Sequence, residues 1–208
     1  MGGKIKGLAV IRDRDRAVST LAAAFADYPQ LKSAFPDRSR RLAVTEAVLR
    51  FQVNLSMRYG GVYALTRECQ EVALVLPSSR KKVSRLRLLL AGNEAGRYRQ
   101  ALERLTEQER RTKKEIFSEM GQMESEIEFP SRYLYISYMG VHGDYQKQGR
   151  GRRLMEKILA HGERKGLPLV LSTSKPEQVA FFQGLGFQVM GITSSRHFQF
   201  INIYLIKS

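Results

Sequence analysis

Gly140-Val141-His142-Gly143-Asp144-Tyr145-Gln146-Lys147-Gln148-Gly149-Arg150-Gly151-Arg152-Arg153-Leu154-Met155 runs from an aromatic and β-branched stretch into an amphipathic one. Tyr133 to Val141 has the composition of a buried strand. Residues 147–165 place Leu154, Met155, Ile158 and Leu159 on one helical face. Arg164, Lys165 and Gly166 then supply a C-terminal signal, and Pro168 prevents continuation. A strand, a loop with two glycines and a long helix form an anion trap. The first helical turn has N–H groups without intrahelical acceptors, and its dipole adds partial positive charge. Gly149 and Gly151 let the backbone approach a phosphate, and Lys147, Arg150, Arg152 and Arg153 surround it with full charges. The spacing is neither a Walker loop nor the three-glycine dinucleotide fingerprint.

On the C-terminal side, Leu169-Val170-Leu171 reads as an apolar strand parallel to the previous one, with the helix as crossover. Pro176 opens a further helix that ends at Gly184-Leu185-Gly186, and Phe187–Ile192 and His197–Ile206 close the chain as an antiparallel pair. On the N-terminal side, Ile5–Ile11 reads as a strand and Asp13 as the cap of a helix ended by Tyr28-Pro29. Asp37 caps a longer helix ended by Gly60-Gly61, and Val62–Thr66 with Glu71–Leu76 forms an antiparallel hairpin. Between Pro77 and Glu128 no strand is legible. Leu86, Leu89 and Leu90 suggest one helix, and Tyr98, Leu102 and Leu105 a second. Ile116, Phe117, Met120 and Met123 would face inward from a third. The pattern predicts one α/β domain over 1–208, with a mixed sheet and a helical insertion at 78–128.

Composition narrows the function classes. Of 208 residues, 43% are hydrophobic and 26% charged, an ordinary globular balance. No apolar run approaches the roughly 18–20 residues that cross a bilayer, and Met1–Lys6 lacks a signal peptide's apolar stretch. The single cysteine, Cys69, fits a reducing compartment. A cytoplasmic location, with no membrane partner, is the expectation. The net charge of +15 points to an anionic partner, either nucleic acid or a phosphorylated small molecule. Twelve Lys and Arg stand against four Glu between Arg80 and Lys114, and five Glu with no basic residue follow from Glu115 to Glu128. Only Tyr98 is available for base stacking in the basic stretch, so nucleic acid ranks last. No Cys, His or carboxylate spacing suggests a metal site.

The quoted stretch resembles motif A of the GNAT superfamily of N-acetyltransferases, which runs from a central strand through Gln/Arg-x-x-Gly-x-Gly/Ala into a helix. A second block, Phe181-Phe182-Gln183-Gly184-Leu185-Gly186-Phe187, is similar to the superfamily's aromatic–Tyr-x-x-x-Gly-Phe element. The strand ending at Pro77, followed by a helical insertion, is similar to the puromycin-acetyltransferase-like branch. The resemblance implies a mixed, mostly antiparallel central sheet flanked by helices, with an acetyl-CoA-binding core at 132–192. It implies that main-chain groups of Met139, Gly140 and Val141 pair with the pantetheine arm like an added strand. It also implies that Gln146, Lys147, Gln148, Gly149, Arg150, Gly151 and Arg152 hold the pyrophosphate, with Gln178 near the cosubstrate. Acetyl-CoA and an amine acceptor are the partners so implied, for a monomer or a homodimer, with no metal.

The catalytic groups depart from that pattern. Phe182 stands where relatives often have a Tyr acid, and Tyr135 where some have a carboxylate base. Tyr135 and Tyr138 fall on opposite faces of an uninterrupted strand, with Ser137 on the face of Tyr135; either tyrosine would face the acceptor or pack. Glu124, Glu126 and Glu128 precede that strand, as attractants for a cationic amine, as a base (Glu128), or as a solvated helix end. Cys69 reads as an incidental thiol. Two classes lead: an N-acetyltransferase acting on a small-molecule or protein amine, and a non-catalytic acyl-CoA-binding sensor or regulator.

Overall fold

A computed structural model describes residues 4–81 and 106–208, with positions 96 and 103 between them. The expected helices around Leu86–Leu90 and Tyr98–Leu105 lie outside the described residues.

The N-terminal strand is shorter than its apolar run suggests: β1 is only Ala9–Val10, because Ile5 is buried outside any strand ladder. Asp13 caps α1 (Arg14–Phe25), accepting from the Arg16 amide at 3.1 Å. The sequence reads Tyr28-Pro29 as a stop, but Pro29 also starts a helix. It occupies the first turn of α2 (Pro29–Ala34), where a missing N–H costs nothing. Asp37 caps α3 (Arg38–Tyr59), with Gly60 at its other end. Strands β2 (Gly61–Ala64) and β3 (Glu71–Pro77) form the expected hairpin, and a short α4 (Ser78–Lys81) follows. Helix α5 (Glu107–Ser125) opens with a reciprocal capping box between Thr106 and Glu109. Its Ile116 and Met123 are buried as expected, whereas Phe117 is 41% exposed.

Strand β4 (Leu134–Val141) lies at the centre of the sheet. A loop then leads to α6 (Arg150–Lys165), which begins three residues later than the periodicity implies because Gly149 is its left-handed N-cap. Strand β5 (Leu169–Thr173), a short turn at Pro176–Gln178, α7 (Val179–Gln183), β6 (Gln188–Ser194) and β7 (Ile201–Lys207) complete the chain. The last strand starts at Ile201 rather than His197, because Ser195–Phe200 close the connection with their own bonds. Among the described residues the sheet has seven strands in the order β1-β2-β3-β4-β5-β7-β6, and only β4–β5 is parallel. The fold is therefore the expected mixed, mostly antiparallel sheet flanked by helices.

Each face of the sheet has its own core. Leu154, Met155 and Ile158 of α6 pack with Ile136, Leu171, Phe182 and Phe187. On the other face Val18 and Leu21 of α1 and Leu49 and Val53 of α3 pack with Val62, Val72 and Leu74. Gly140 sets how closely α1 approaches β4, since a Cβ there would lie 2.7 Å from Ala24 Cβ. Gly140→Ala should destabilise the fold by about 1–3 kcal/mol through overpacking, read as a lower urea midpoint with an unchanged slope.

Candidate active site

The β4–β5 pairing stops early. Leu134, Tyr135 and Ile136 pair with Leu169, Val170 and Leu171, but β4 continues to Val141 without β5 beside it. The cause lies on the other edge, where β3 pairs Leu74 with Tyr138 and Val75 with Ile136, skipping Ser137. Ser137 is thus an extra residue in β4, a β-bulge that bends and twists the strand. Beyond it, the β4 backbone from Ser137 to Val141 has no strand partner on its β5 side among the described residues.

The bulge also resets which side chains share a face, and this corrects two expectations. Leu134, Ile136 and Met139 pack in the cluster of α6, whereas Tyr138 packs with α1 and α3 and Gly140 faces Leu21 and Ala24. Tyr135 and Tyr138 therefore lie on the same face, not opposite ones, because the bulge adds one residue to the period of two. Ser137 does not share the face of Tyr135 in regular alternation; its hydroxyl lies 3.4 Å from the Leu74 carbonyl oxygen.

Both tyrosines line a cavity of about 940 Å³ between the sheet and helices α1, α2, α3 and α5. Its walls are mainly aromatic and aliphatic, with Phe25, Leu49, Phe117 and Met120 among them. Burial pushes the Tyr135 phenol up, and its oxygen lies 3.5 Å from Ser172 Oγ. The Tyr138 ring meets Phe25 at 5.1 Å between centroids. Glu124 reaches the cavity, where its carboxylate is 3.0 Å from Lys81 Nζ. That ammonium lies 3.9 Å from the Phe129 ring centre and 4.2 Å from that of Tyr135. Glu126 and Glu128 are exposed and do not line the cavity.

The phosphate loop is held from behind. Gln146 donates to the Val141 carbonyl and Gln148 to the Asp144 carbonyl, each at 3.1 Å. Lys147 has φ +59° and Gly149 φ +72°, so two left-handed residues turn the chain into α6. The first intrahelical bond runs from the Arg153 amide to the Gly149 carbonyl, leaving the amides of Arg150, Gly151 and Arg152 without helical acceptors. A Cβ at Gly151 would come within ordinary contact of the Val141 and Met139 side chains. Arg152 donates to the Gly184 carbonyl at 3.2 Å. Arg150 turns away from the loop and pairs at 2.9 Å with Glu71, a fully buried carboxylate whose other oxygen accepts from the Leu65 amide at 2.8 Å. The loop's oriented amides and the open edge of β4 fit a diphosphate carried on an extended, amide-bearing arm.

Sequence reasoning missed Tyr28 and a buried polar cluster beside it. Tyr28 reaches the cavity, with its hydroxyl 2.9 Å from Thr173 Oγ1 and 3.4 Å from Gln178 Oε1. Gln178 lies at the far end of β5, where the Thr173 hydroxyl donates to it at 2.6 Å. Gln30, Ser174 and Asn202 form a buried polar cluster beside them. A Tyr-Pro pair signals only a turn, and pairings across more than a hundred residues leave no local mark. Among the described residues no group of three or more His, Cys, Asp or Glu is placed to hold a metal ion. None of their helices is long and apolar enough to cross a membrane.

Comparison with known proteins identifies this architecture. The chain belongs to the acetyltransferase (GNAT) domain family, whose model matches residues 93–203. Its fold is similar to that of arylalkylamine N-acetyltransferase 2 from Aedes aegypti, at 13% identity over 96% of this chain and 97% of that one, TM-score 0.61. It is also similar to a structure described as histone acetyltransferase HPA2 and related acetyltransferase from Corynebacterium glutamicum, at 15% identity over 96% and 94% of the two chains, TM-score 0.59. A polyamine N-acetyltransferase from Drosophila melanogaster that forms N-acetylagmatine matches at 12% identity over 96% and 99%, TM-score 0.50.

Removing the carboxylate behind the loop should unsettle it. Glu71→Ala leaves a half-buried guanidinium unpaired and should cost about 3–5 kcal/mol, measured by urea denaturation. Cys69 is buried at the hairpin turn, and burial pushes its thiol up to about 11. A raised thiol keeps its proton, so at pH 8 a soluble disulfide reagent should label the native protein far more slowly than the unfolded chain.

Proposed function

We propose that the protein is an N-acetyltransferase that transfers the acetyl group of acetyl-CoA to a primary amine. One observation carries the reading: the bulge at Ser137 opens the β4 edge between the amides of α6 and a cavity of about 940 Å³. A thioester whose pyrophosphate rests on the loop and whose arm lies along Met139–Val141 has its reactive end beside Ser137, at the cavity. The backbone N–H groups there supply donors for the developing oxyanion. The acceptor in this reading is a small-molecule amine with an apolar body, because the walls are mainly apolar and the Glu124 carboxylate is engaged by Lys81. Two of the similar structures named above are an arylalkylamine and a polyamine N-acetyltransferase and the third is described as a histone acetyltransferase, which supports an amine as acceptor class. Membership of the puromycin-acetyltransferase-like branch and a cytoplasmic location belong to the same reading. A second reading, an acyl-CoA-binding regulator, is favoured by Phe182, whose ring has no proton to give and packs at 5.9 Å against Phe187.

Calorimetric titration with acetyl-CoA tests the cosubstrate. Stoichiometric binding is expected, and Gly149→Glu should weaken it at least tenfold by placing negative charge on a backbone of positive φ. Unchanged affinity in the variant would remove the loop from the reading. Thiol release from acetyl-CoA with phenethylamine, agmatine or spermidine then separates the two functions: turnover supports the enzyme, and binding with no turnover supports the regulator.

A further inference from the structure

Acetyl transfer leaves one proton to be placed. The C–S bond breaks as the C–N bond forms; the amine nitrogen loses a proton and the departing sulfur gains one. Phe182 cannot supply it, yet the open end of the β4–β5 gap carries a phenol from elsewhere in the chain. By alternation Thr173 shares the β5 face of Leu169 and Leu171, which belongs to the α6 core. Tyr28 comes from the opposite side, following α1, and its ring packs 4.7 Å from Phe25. Its hydroxyl nevertheless meets Thr173 Oγ1 at 2.9 Å, so the phenol spans the two faces where the strands part.

The segment holding Tyr28 is fixed at both ends. Arg41 is buried, and its guanidinium donates to the carbonyls of Ala26, Phe35 and Pro36 at 2.8–2.9 Å. It also pairs with Asp27 at 3.2 Å. One arginine thereby closes the connection before α2 and the one after it. Burial raises the Tyr28 phenol above its ordinary range, so it retains its proton at neutral pH. Tyr135 is the competitor, but its oxygen lies near Ser172, one residue deeper along β5, and its ring faces the Lys81 ammonium.

We propose that Tyr28 is the acid that protonates the departing thiolate, an assignment that rests on the acetyl-transfer reading above. Its Oη–H gives the proton to sulfur, and the resulting phenolate takes back the one lost by the amine nitrogen. Thr173 and Gln178 orient the hydroxyl and hold no proton of the reaction.

The test is Tyr28→Phe, which keeps the ring against Phe25, assayed by thiol release with the fastest of the three amines and by acetyl-CoA calorimetry. The expected result is a kcat lower by about 10²–10⁴-fold, with acetyl-CoA affinity within twofold of the parent. A kcat within threefold of the parent in Tyr28→Phe overturns the assignment. So does loss of acetyl-CoA binding, which would make Tyr28 a structural residue of the gap. If Tyr135→Phe alone loses turnover, the acid is Tyr135. A parent protein that binds acetyl-CoA but acetylates none of the three amines overturns the enzymatic reading itself, whereas a parent that turns over beside an equally active Tyr28→Phe sinks only this inference.

Discussion

The insertion of Ser137 into β4 is the constraint on which the rest of the site depends. Parallel strands hold each other through evenly spaced bonds, and here that ladder lasts only from Leu134 to Ile136. The bulge turns β4 away from β5 while β3 follows it to Val141, so the sheet stays continuous on one edge and opens on the other. Without the bulge, with β4 in regular alternation through Ser137, Tyr138 would join Ile136 against α6 and the β4 edge would remain covered. With it, Tyr135 and Tyr138 both enter the cavity, and the exposed backbone leads from that cavity to the first turn of α6. The same insertion creates an aromatic wall and an unsatisfied strand edge.

Charge is distributed by a different logic from the one that net composition suggests. A chain of +15 invites a search for a polyanion surface. Yet Arg41 is spent on three carbonyls and an aspartate, Arg150 on a buried glutamate, and Lys81 on Glu124. Arg41 thereby positions backbone, and Arg150 and Lys81 are engaged by side-chain carboxylates. At the phosphate loop the amides from Arg150 to Arg152 carry no formal charge and need none to hold an anion, while Lys147, Arg152 and Arg153 stand exposed beside them. Arg150 contributes its amide while its guanidinium faces the other way, so its charge and its position in the motif are separate matters.

The elements around the quoted loop were legible because each follows from local chemistry. Asp13 and Asp37 cap their helices, the apolar positions of 154–159 mark one helical face, and Leu169–Leu171 is a parallel strand as its position after a crossover requires. The bulge was not legible, since a single serine within a strand does not mark one and the insertion is defined only by the partner strand. The consequence reached beyond one residue: every face assignment after Ile136 inverted. Tyr28 was hidden for a related reason, because Pro29 marks an ending and a beginning equally well, and only the pairing with Thr173 distinguishes its role.

These two blind spots meet in the chemistry. Reading the aromatic block in isolation, Phe182 for tyrosine removes a proton donor and weakens the case for catalysis. In the fold, Phe182 is a packed residue of the α6 core, touching Phe181 and Phe187 with its ring, and nothing about that position obliges it to react. A proton donor must be near the departing sulfur, not at a fixed place in a motif. The gap that the bulge opens can be reached from either face of the sheet. Tyr28, arriving from the α1 side, and Phe182, from the α6 core, line the same cavity. The loss of one hydroxyl from the motif and the presence of another at Tyr28 are thus consistent with one requirement met from the opposite direction.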